Sequence, residues 1–486
     1  MNIKSLHRAD DGSFQYLSDS GETLTYEERF SPEMWDCPEA FEFAGIKGYE
    51  PMTAKELETE EEQDKALEDS ENVIEEKFDG TRALVYFFSQ QVYDPQSNTL
   101  TDEHLGYCRV FSRRISKKTG FYVENTDSLP QIREIDCPKL DGTILDGEMF
   151  INGLPFKEVS SVLNCLWDRA IDRQIEKGFV TFHAFDILFY KGVDMRRFTL
   201  EKRKKFLQTI LSECDSPYIE GVDCYECGSL LGGGNINGHQ LAVDVYSEVM
   251  KRVKDFDEDV YFDMLEDEKG KYPHLYECWK NDSPLTPRAY YELIVSTGGE
   301  GVMVKPKSGK YLHKRGWEYS KVKAFLTREL VITGFDEPTR EYTGKDCKTW
   351  GFWEEVATGK KVKGNFYNKA GYEPVTKFYF NNQVGNLMLG VVITREELDE
   401  IPEKKRGEFY EYGNNTYIMH VCECGGFDDD TRDYFTRNRK RLVHKVVEVK
   451  ANGLFKDTGK MRHPRFMRLR PDKNLEQCTW KDHIGG

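Results

Sequence analysis

The chain has 486 residues, 38% hydrophobic and 31% charged, with a formal net charge of -17. That length exceeds one ordinary core and predicts two or three domains. The composition excludes collagen-like, disordered and disulfide-scaffold classes, and no apolar run nears the roughly 18 residues that span a bilayer.

Residues 1–45 are acidic and show few clear periods, and the opening MNIKSLHRADDGSFQ has neither an apolar stretch nor a small-residue cleavage site. No secretory signal is therefore expected. Thr53 and Glu56, three apart at the head of TAKELETEEEQDKALEDS, predict a capping box opening a short acidic helix. From 73 to about 190 the texture is strand-like: ALVYFF at 83–88, YCRVFS at 107–112, TILDGEMFI at 143–151 and VTFHAFDILFY at 180–190, separated by Gly, Asp and Asn turns. LEKRKKFLQTIL at 200–211 and QLAVDVYSEVMKRV at 240–253 predict amphipathic helices. GGGN at 232–235 reads as a loop and is not a standard phosphate cradle. Beyond about 326, ELVITGF, KFYFN, NLMLGVVI, YIMHVCE and KVVEVKAN are β-like, fitting a small barrel such as an OB fold.

Charge is unevenly spread. Residues 1–76 carry 6 basic and 22 acidic side chains, whereas residues 431–486 carry 15 basic and 6 acidic. A basic end on an acidic chain suits a polyanion partner on one face, and a solvated basic surface is the plainer account. The twelve cysteines include a C-x-x-C at Cys224 and Cys227 and a C-x-C at Cys422 and Cys424, with no second pair at zinc-finger spacing. Reduced, partly buried thiols are the simpler reading, and a structural zinc stays open.

The sharpest local signal is EEKFDGTR at 75–82, in which Lys77, Asp79, Gly80 and Arg82 form K-x-D-G-x-R before a strand. A lysine is a covalent nucleophile once its amine loses its proton, which neighbouring cations favour. Further along come Glu148 in LDGEMF, Phe185 in HAFDIL, Glu300 and Lys305 in GGEGVMVKP, and Lys321 and Lys323 in YSKVKA. The last two lie two apart, hence on one strand face, where two cations repel unless an anion sits between them. Carboxylates that hold a divalent metal and cations that neutralise phosphate oxygens are what phosphoryl transfer uses. Singly each has a bland reading: a charged turn, a core phenylalanine, a surface carboxylate, a basic face.

In this order the motifs resemble those of the covalent nucleotidyltransferases, and most closely the ATP-dependent DNA ligases. RHPRFMRLRPDK at 462–473, ending in R-x-D-K, resembles the last motif of that family, and PMTAK at 51–55 resembles the opening of its adenylation domain. The resemblance runs over about 46–486. It implies an α+β fold: an ATP-grasp-like adenylation domain at 46–325 after an acidic segment at 1–45, then an OB-fold barrel at 326–486. It implies that Lys77 takes AMP from ATP, that Glu75 reads the adenine amino group, and that Asp79, Gly80 and Arg82 contact the nucleotide. By the same resemblance Glu148 and Glu300 match ribose and metal positions, Phe185 stacks on adenine, Lys305 lines the nucleotide, and Lys321 and Lys323 meet the α-phosphate. Arg113, with Arg82, matches the grip on the 5′-phosphate at a nick. Arg470 and Lys473 match barrel residues that close over the triphosphate.

The expected cofactors are ATP and Mg²⁺, with Mn²⁺ as an alternative. The expected partner is nicked double-stranded DNA, bound by an intracellular, cytoplasmic monomer with no membrane. An RNA ligase or an mRNA capping guanylyltransferase of the same superfamily is the rival reading. Only 76 residues precede Lys77, too few and too acidic for a DNA-encircling helical domain. Segments 213–285 and parts of 340–420 read as insertions, either plain surface elaboration or, in one case, a loop or small subdomain that contacts duplex DNA.

Overall fold

A computed structural model describes residues 3–27, 51–94, 96–115, 122–154, 156–228, 245–250, 253, 257–281, 283–312, 314–344, 347–403, 406–413, 415–455 and 458–484. The chain divides into two compact units, Met1–Lys323 and Ala324–Gly486.

The first unit begins with an antiparallel meander, β1 Ile3–Arg8, β2 Phe14–Ser18 and β3 Thr23–Tyr26. Phe14, Tyr16 and Ser18 alternate inward, and the inward residues form a small core with Trp167 and Ile171. The acidic opening therefore contains a folded sheet. Its signal was the Asp-Gly and Ser-Gly turns between short alternating runs.

β4 (Thr53–Glu56) follows, then helix α1 (Glu60–Glu68). The capping box sits at Thr59 and Glu62 rather than at Thr53 and Glu56. Both pairs have the T-x-x-E spacing, but Thr53–Glu56 is taken as a strand by parallel pairing with the later strand around Arg315–Lys321.

β5 (Asn72–Glu76), β6 (Thr81–Asp94), β7 (Thr99–Ile115), β8 (Tyr122–Glu124) and β9 (Thr143–Phe150) come next, then helices α2 (Phe156–Leu163) and α3 (Trp167–Lys177). β10 (Thr181–Tyr190), β11 (Val193–Asp194), α4 (Leu200–Cys214), β12 (Ile219–Gly221) and β13 (Cys224–Glu226) follow. Helices α5 (Val245–Met250), α6 (Glu258–Asp267), α7 (Pro273–Lys280) and α8 (Pro287–Ser296) precede β14 (Gly301–Pro306) and β15 (Arg315–Lys323). One sheet is ordered β11-β10-β9-β6-β7-β8 with β12 on β10; the other is β13-β5-β14-β15-β4.

Alternation along β6 explains the layering. Ala83, Val85 and Phe87 enter one core with α2, α3 and α4, while Leu84 and Tyr86 enter a second core with Tyr319 of the other sheet and with Met52 and Tyr311 from the segments next to its strands. Both faces are apolar, so the strand reads as a continuous hydrophobic run. A third core packs α1 and α5–α8 on the far face of the second sheet. Residues 213–226, expected within an insertion, end α4 and supply the sheet-edge strands β12 and β13. The GGGN loop at 232–235 lies outside the described residues, as does the start of the helix expected over 240–253.

The second unit is built on β16 (Leu326–Phe335). Between it and β20 (Leu387–Thr394) stands a separate sheet of β17 (Phe352–Glu355), β18 (Lys361–Lys363) and β19 (Tyr372–Pro374), with a one-turn helix α9 (Lys377–Phe380). KFYF is helical rather than β-like because the Thr376 hydroxyl accepts from the Tyr379 N–H and starts a turn. The ends of this excursion meet, since Asp336 and Gly385–Asn386 exchange backbone hydrogen bonds of 2.8 and 2.9 Å. Helix α10 (Arg395–Glu400), β21 (Phe409–Gly413), β22 (Thr416–Cys424), α11 (Asp429–Leu442), β23 (Val446–Ala451) and β24 (Arg465–Leu469) complete the unit, with a final helix α12 (Trp480–Ile484). Strands run β22-β20-β16-β23-β24, and a parallel bridge from Gly425, just past β22, to Arg465 of β24 closes the ring. A five-strand ring with a helix between its third and fourth strands is the OB topology. The fold is thus α+β with a C-terminal OB barrel. β20 and β22 are barrel strands, so within 340–420 only the stretch between β16 and β20 and the α10–β21 arm depart from a plain barrel.

Candidate active site

A cavity of about 750 Å³ opens between the two sheets of the first unit. Its walls include Glu75, Lys77, Gly80, Arg82, Arg113, Glu148, Phe185, Lys305 and Lys321. Residues from β5, β6, β7, β9, β10, β14 and β15 thus converge from sequence positions more than two hundred apart.

Lys77 leaves the end of β5, where its N–H donates to the Gly301 carbonyl at 2.9 Å. The turn after it runs tight against β9. A Cβ on Gly80 would stand 2.3 Å from the Met149 carbonyl oxygen and 2.8 Å from Glu148 Cγ, so only glycine fits there. Asp79 is half-buried in this turn and is not among the cavity walls. Gly301 has φ +132°, and a Cβ there would strike the Val322 carbonyl oxygen at 2.2 Å. These two glycines bring Glu300 and Lys77 together.

Glu300 accepts from the ammonium groups of Lys77 and Lys323, one on each carboxylate oxygen. Burial opposes its ionisation, but Lys77 and then Lys323 outweigh burial and hold its carboxyl below the usual range. Lys323 is itself pushed down, chiefly by burial. Lys321 pairs with Glu56 at 2.9 Å. The two lysines of β15 therefore each have a carboxylate, which offsets the repulsion their spacing implies.

Glu148 lies opposite Arg82 across β6–β9 and opposite His183 across β9–β10. Burial is the main cause that pushes its carboxyl up to about 7; Glu300 and Asp146 push the same way, and Lys77 and Arg82 oppose it. Arg82 forms a fork on the buried Asp146, with 2.9 Å from Nε and 2.6 Å from Nη2. Its guanidinium also stands 5.0 Å over the Phe185 ring, and the Lys305 ammonium stands 4.7 Å from that ring. Phe185 is only half-buried, beside the cavity, rather than sealed in the core.

Glu75 is wholly buried among cations. One oxygen pairs with Lys305 of β14 and the other with Lys204 of α4. The next residue back on α4, Arg203, forks onto Asp186 at 2.7 and 2.9 Å, and Asp186 also accepts from Tyr319. Arg113 lines the cavity with an exposed side chain.

Arg470 and Lys473 belong to the second unit. Arg470 pairs with Glu329, with Glu448 at 3.1 Å and with Asp472 at 2.8 Å, and Lys473 pairs with Glu329 at 3.2 Å. Neither is a wall of the cavity.

Sequence reasoning passed over Arg315, Ser112 and Asn164, which also line the cavity, and Lys204 and Glu56, which pair with residues that do. Arg315 stands six residues before Lys321 in a basic stretch that could have drawn attention; Lys204 sits in a KRKK run that reads as helix surface. Among the described residues no group of three or more His, Cys, Asp or Glu side chains forms a metal cage, and the thiols of Cys224, Cys227, Cys422 and Cys424 are free and buried.

Residues 51–226 match the family model described as ATP dependent DNA ligase domain. Among curated proteins, a DNA ligase of Archaeoglobus fulgidus is 24% identical over 85% of this chain and 54% of its own length. DNA ligase 2 of Methanosarcina acetivorans is 24% identical over 92% of this chain and 60% of its own. A DNA ligase of Saccharolobus solfataricus is 24% identical over 89% and 58%. The chain thus spans somewhat over half the length of these relatives. A solved Lig E DNA ligase covers 87% of this chain at 15% identity with a TM-score of 0.42. Lys77, Arg82, Glu148 and Phe185 all lie inside the segment that is similar to an ATP-dependent DNA ligase domain.

Proposed function

We propose that the protein is an ATP-dependent DNA ligase that seals 5′-phosphate/3′-hydroxyl nicks in duplex DNA. The observation that carries this reading is the Lys77–Glu300–Lys323 chain beside a cavity wide enough for a nucleotide. An amine, an ionised carboxylate that accepts its hydrogen bond and cations for phosphate oxygens are then within one constellation.

The chemistry is three in-line displacements. Lys77 Nζ, having given up a proton, attacks the α-phosphorus of ATP, forms a phosphorus–nitrogen bond and expels pyrophosphate. A 5′-phosphate oxygen of the nick then attacks the same phosphorus and takes the AMP. The neighbouring 3′-hydroxyl finally attacks the DNA 5′-phosphorus and expels AMP. A free 5′-phosphate is a poor electrophile because its leaving group would be oxide, and adenylylation replaces that group.

Phe185 supplies a face for adenine, and Glu75 an acceptor for its amino group. Arg82, Lys321 and Lys323 offset phosphate charge, Lys305 lines the adenine end of the nucleotide beside Phe185 and Glu75, Arg113 holds the nick 5′-phosphate, and Asp79 and Gly80 shape the turn around the ribose. Arg470 and Lys473 orient the pyrophosphate leaving group from the barrel. The two carboxylates beside Lys77 fit a Mg²⁺ ion, since magnesium is commonly held by one or two carboxylates plus substrate phosphates. Glu148 and Glu300 would hold it, and it would supply charge neutralisation on the transferring phosphate. The protein acts as a monomer in the cytoplasm.

The test incubates the full chain with α-labelled ATP and, separately, α-labelled GTP, then adds nicked DNA/DNA or RNA-containing duplex. Label on Lys77 from ATP that survives alkali but is lost in acid, as a phosphorus–nitrogen bond requires, and sealing of DNA/DNA nicks are expected. Label from GTP alone would establish the capping reading; sealing confined to RNA strands would establish the RNA ligase reading.

A further inference from the structure

Two neighbouring side chains of α4 are buried more deeply than their KRKK context suggests. Arg203 is 1% and Lys204 2% exposed, and each meets a buried carboxylate on a different sheet. Arg203 takes Asp186 of β10, one residue from Phe185; Lys204 takes Glu75 of β5, two residues from Lys77. The helix thereby fixes one carboxylate on each of the two sheets that border the cavity, Glu75 as a wall and Asp186 beside the wall residue Phe185.

Glu75 and Lys305 are cavity walls, whereas Lys204 is not. Lys204 stands behind Glu75. It approaches Oε1 while Lys305, which faces the Phe185 and Tyr319 rings at 4.7 and 4.4 Å, takes Oε2. One ammonium on each oxygen pins the plane of the carboxylate. With Lys204 removed, the whole anion would turn onto Lys305, beside the aromatic ring, and away from its present orientation.

We propose that Lys204 is a positioning residue for base selection: it holds Glu75 turned toward the cavity so that the carboxylate accepts from the 6-amino group of adenine. This inference rests on the ATP reading above. Charge supports the geometry. Burial works against ionisation of Glu75, yet Lys204 and then Lys305 outweigh it and keep its carboxyl below the usual range. A neutral carboxyl could donate as readily as accept and would discriminate poorly between purines. Electrostatics also explains why two cations are retained around one anion in a dry site: a single lysine would leave half of the carboxylate unpaired, which is disfavoured in a buried position.

The experiment follows nucleotidyl adduct formation on the full chain by intact-protein mass, with ATP and with purine riboside triphosphate, which lacks the 6-amino group. Wild type, Lys204→Met and Lys204→Arg are compared over a range of nucleotide concentrations. A hydrogen bond to a charged acceptor is worth on the order of tenfold or more in discrimination. Lys204→Met is therefore expected to lower the preference for ATP about tenfold, through KM for ATP, while the limiting rate of adduct formation changes little. Lys204→Arg keeps the charge but moves the anchor point, and is expected to lose about threefold. A Lys204→Met protein that melts like wild type and keeps the wild-type preference overturns the proposal. Should that variant not fold, Lys204→Arg decides, and an unchanged preference overturns it equally. A wild-type chain that forms no adduct with either nucleotide removes the ATP reading itself; a wild-type chain that forms adducts but shows no preference between them removes only the role given to Glu75 and Lys204.

Discussion

The cations of the two units are held in opposite ways. In the first unit Lys204, Arg203 and Lys305 are sealed from water against Glu75 and Asp186. In the second, Arg470 and Lys473 share Glu329, and Arg470 adds Glu448 and the exposed Asp472. A dry ion pair loses much when one partner goes, because the other is stranded in low dielectric. A wet pair exchanges for another anion at small cost. The first arrangement suits a fixed recognition surface; the second suits cations that leave their own carboxylates for a phosphate during one step and return.

Removing the nucleophile should have the largest effect. Lys77→Ala is expected to abolish adduct formation, a loss of at least about ten-thousand-fold, read by label transfer; measurable sealing would refute the assigned nucleophile. Next comes the dry side of the comparison. Arg203→Met strands Asp186 and should destabilise the first unit by about 3–5 kcal/mol in urea unfolding; a loss below about 1 kcal/mol would put this pair with the wet ones.

A pH effect should mark the second unit. Burial pushes His483 down to about 4, and its Nε2–H donates to the Gly459 carbonyl. The folded state then takes up a proton less readily than the unfolded chain. Stability should be full above the ordinary pKa of about 6.5 and fall by about 3 kcal/mol as pH drops toward 4. Melting of the isolated transition across this range checks the slope, and His483→Gln should flatten it.

The wet side is tested by Arg470→Ala, expected to slow adduct formation about a hundredfold and to leave sealing of pre-adenylylated nicks within about threefold. Equal losses in both steps would erase the contrast between fixed and exchanging cations. The smallest effect belongs to Glu329→Gln, which frees Arg470 and Lys473 from a competing anion. Adduct formation should quicken by about two- to threefold at low salt and return to the wild-type rate at high salt.

Much of the fold was legible because its strands carry their own signals. VTFHAFDILFY and NLMLGVVI are apolar runs flanked by turn residues, and both are central strands. Local rules failed where a distant partner decided. Thr53–Glu56 has the spacing of a cap, but β15 claims it as a strand. KFYF has strand-forming side chains, but one hydroxyl turns it into a helix. The site divides the same way. Lys77 and Gly80 stand out locally, in the K-x-D-G-x-R string before a strand, although that string by itself also reads as a charged turn. Arg203 and Lys204 do not, since nothing in LEKRKK tells which basic residue faces β10, shortly before the helix, and which faces the distant strand that carries Glu75. Burial of a charge is a property of the assembled layers.

The excursion between β16 and β20 starts and finishes at hydrogen-bonded neighbours, Asp336 and Asn386, and keeps its own three-stranded sheet. To the barrel it is a plug-in on a closed stem. A short glycine turn could replace it, or a fluorescent reporter could be spliced in, without altering the register of the strands on either side.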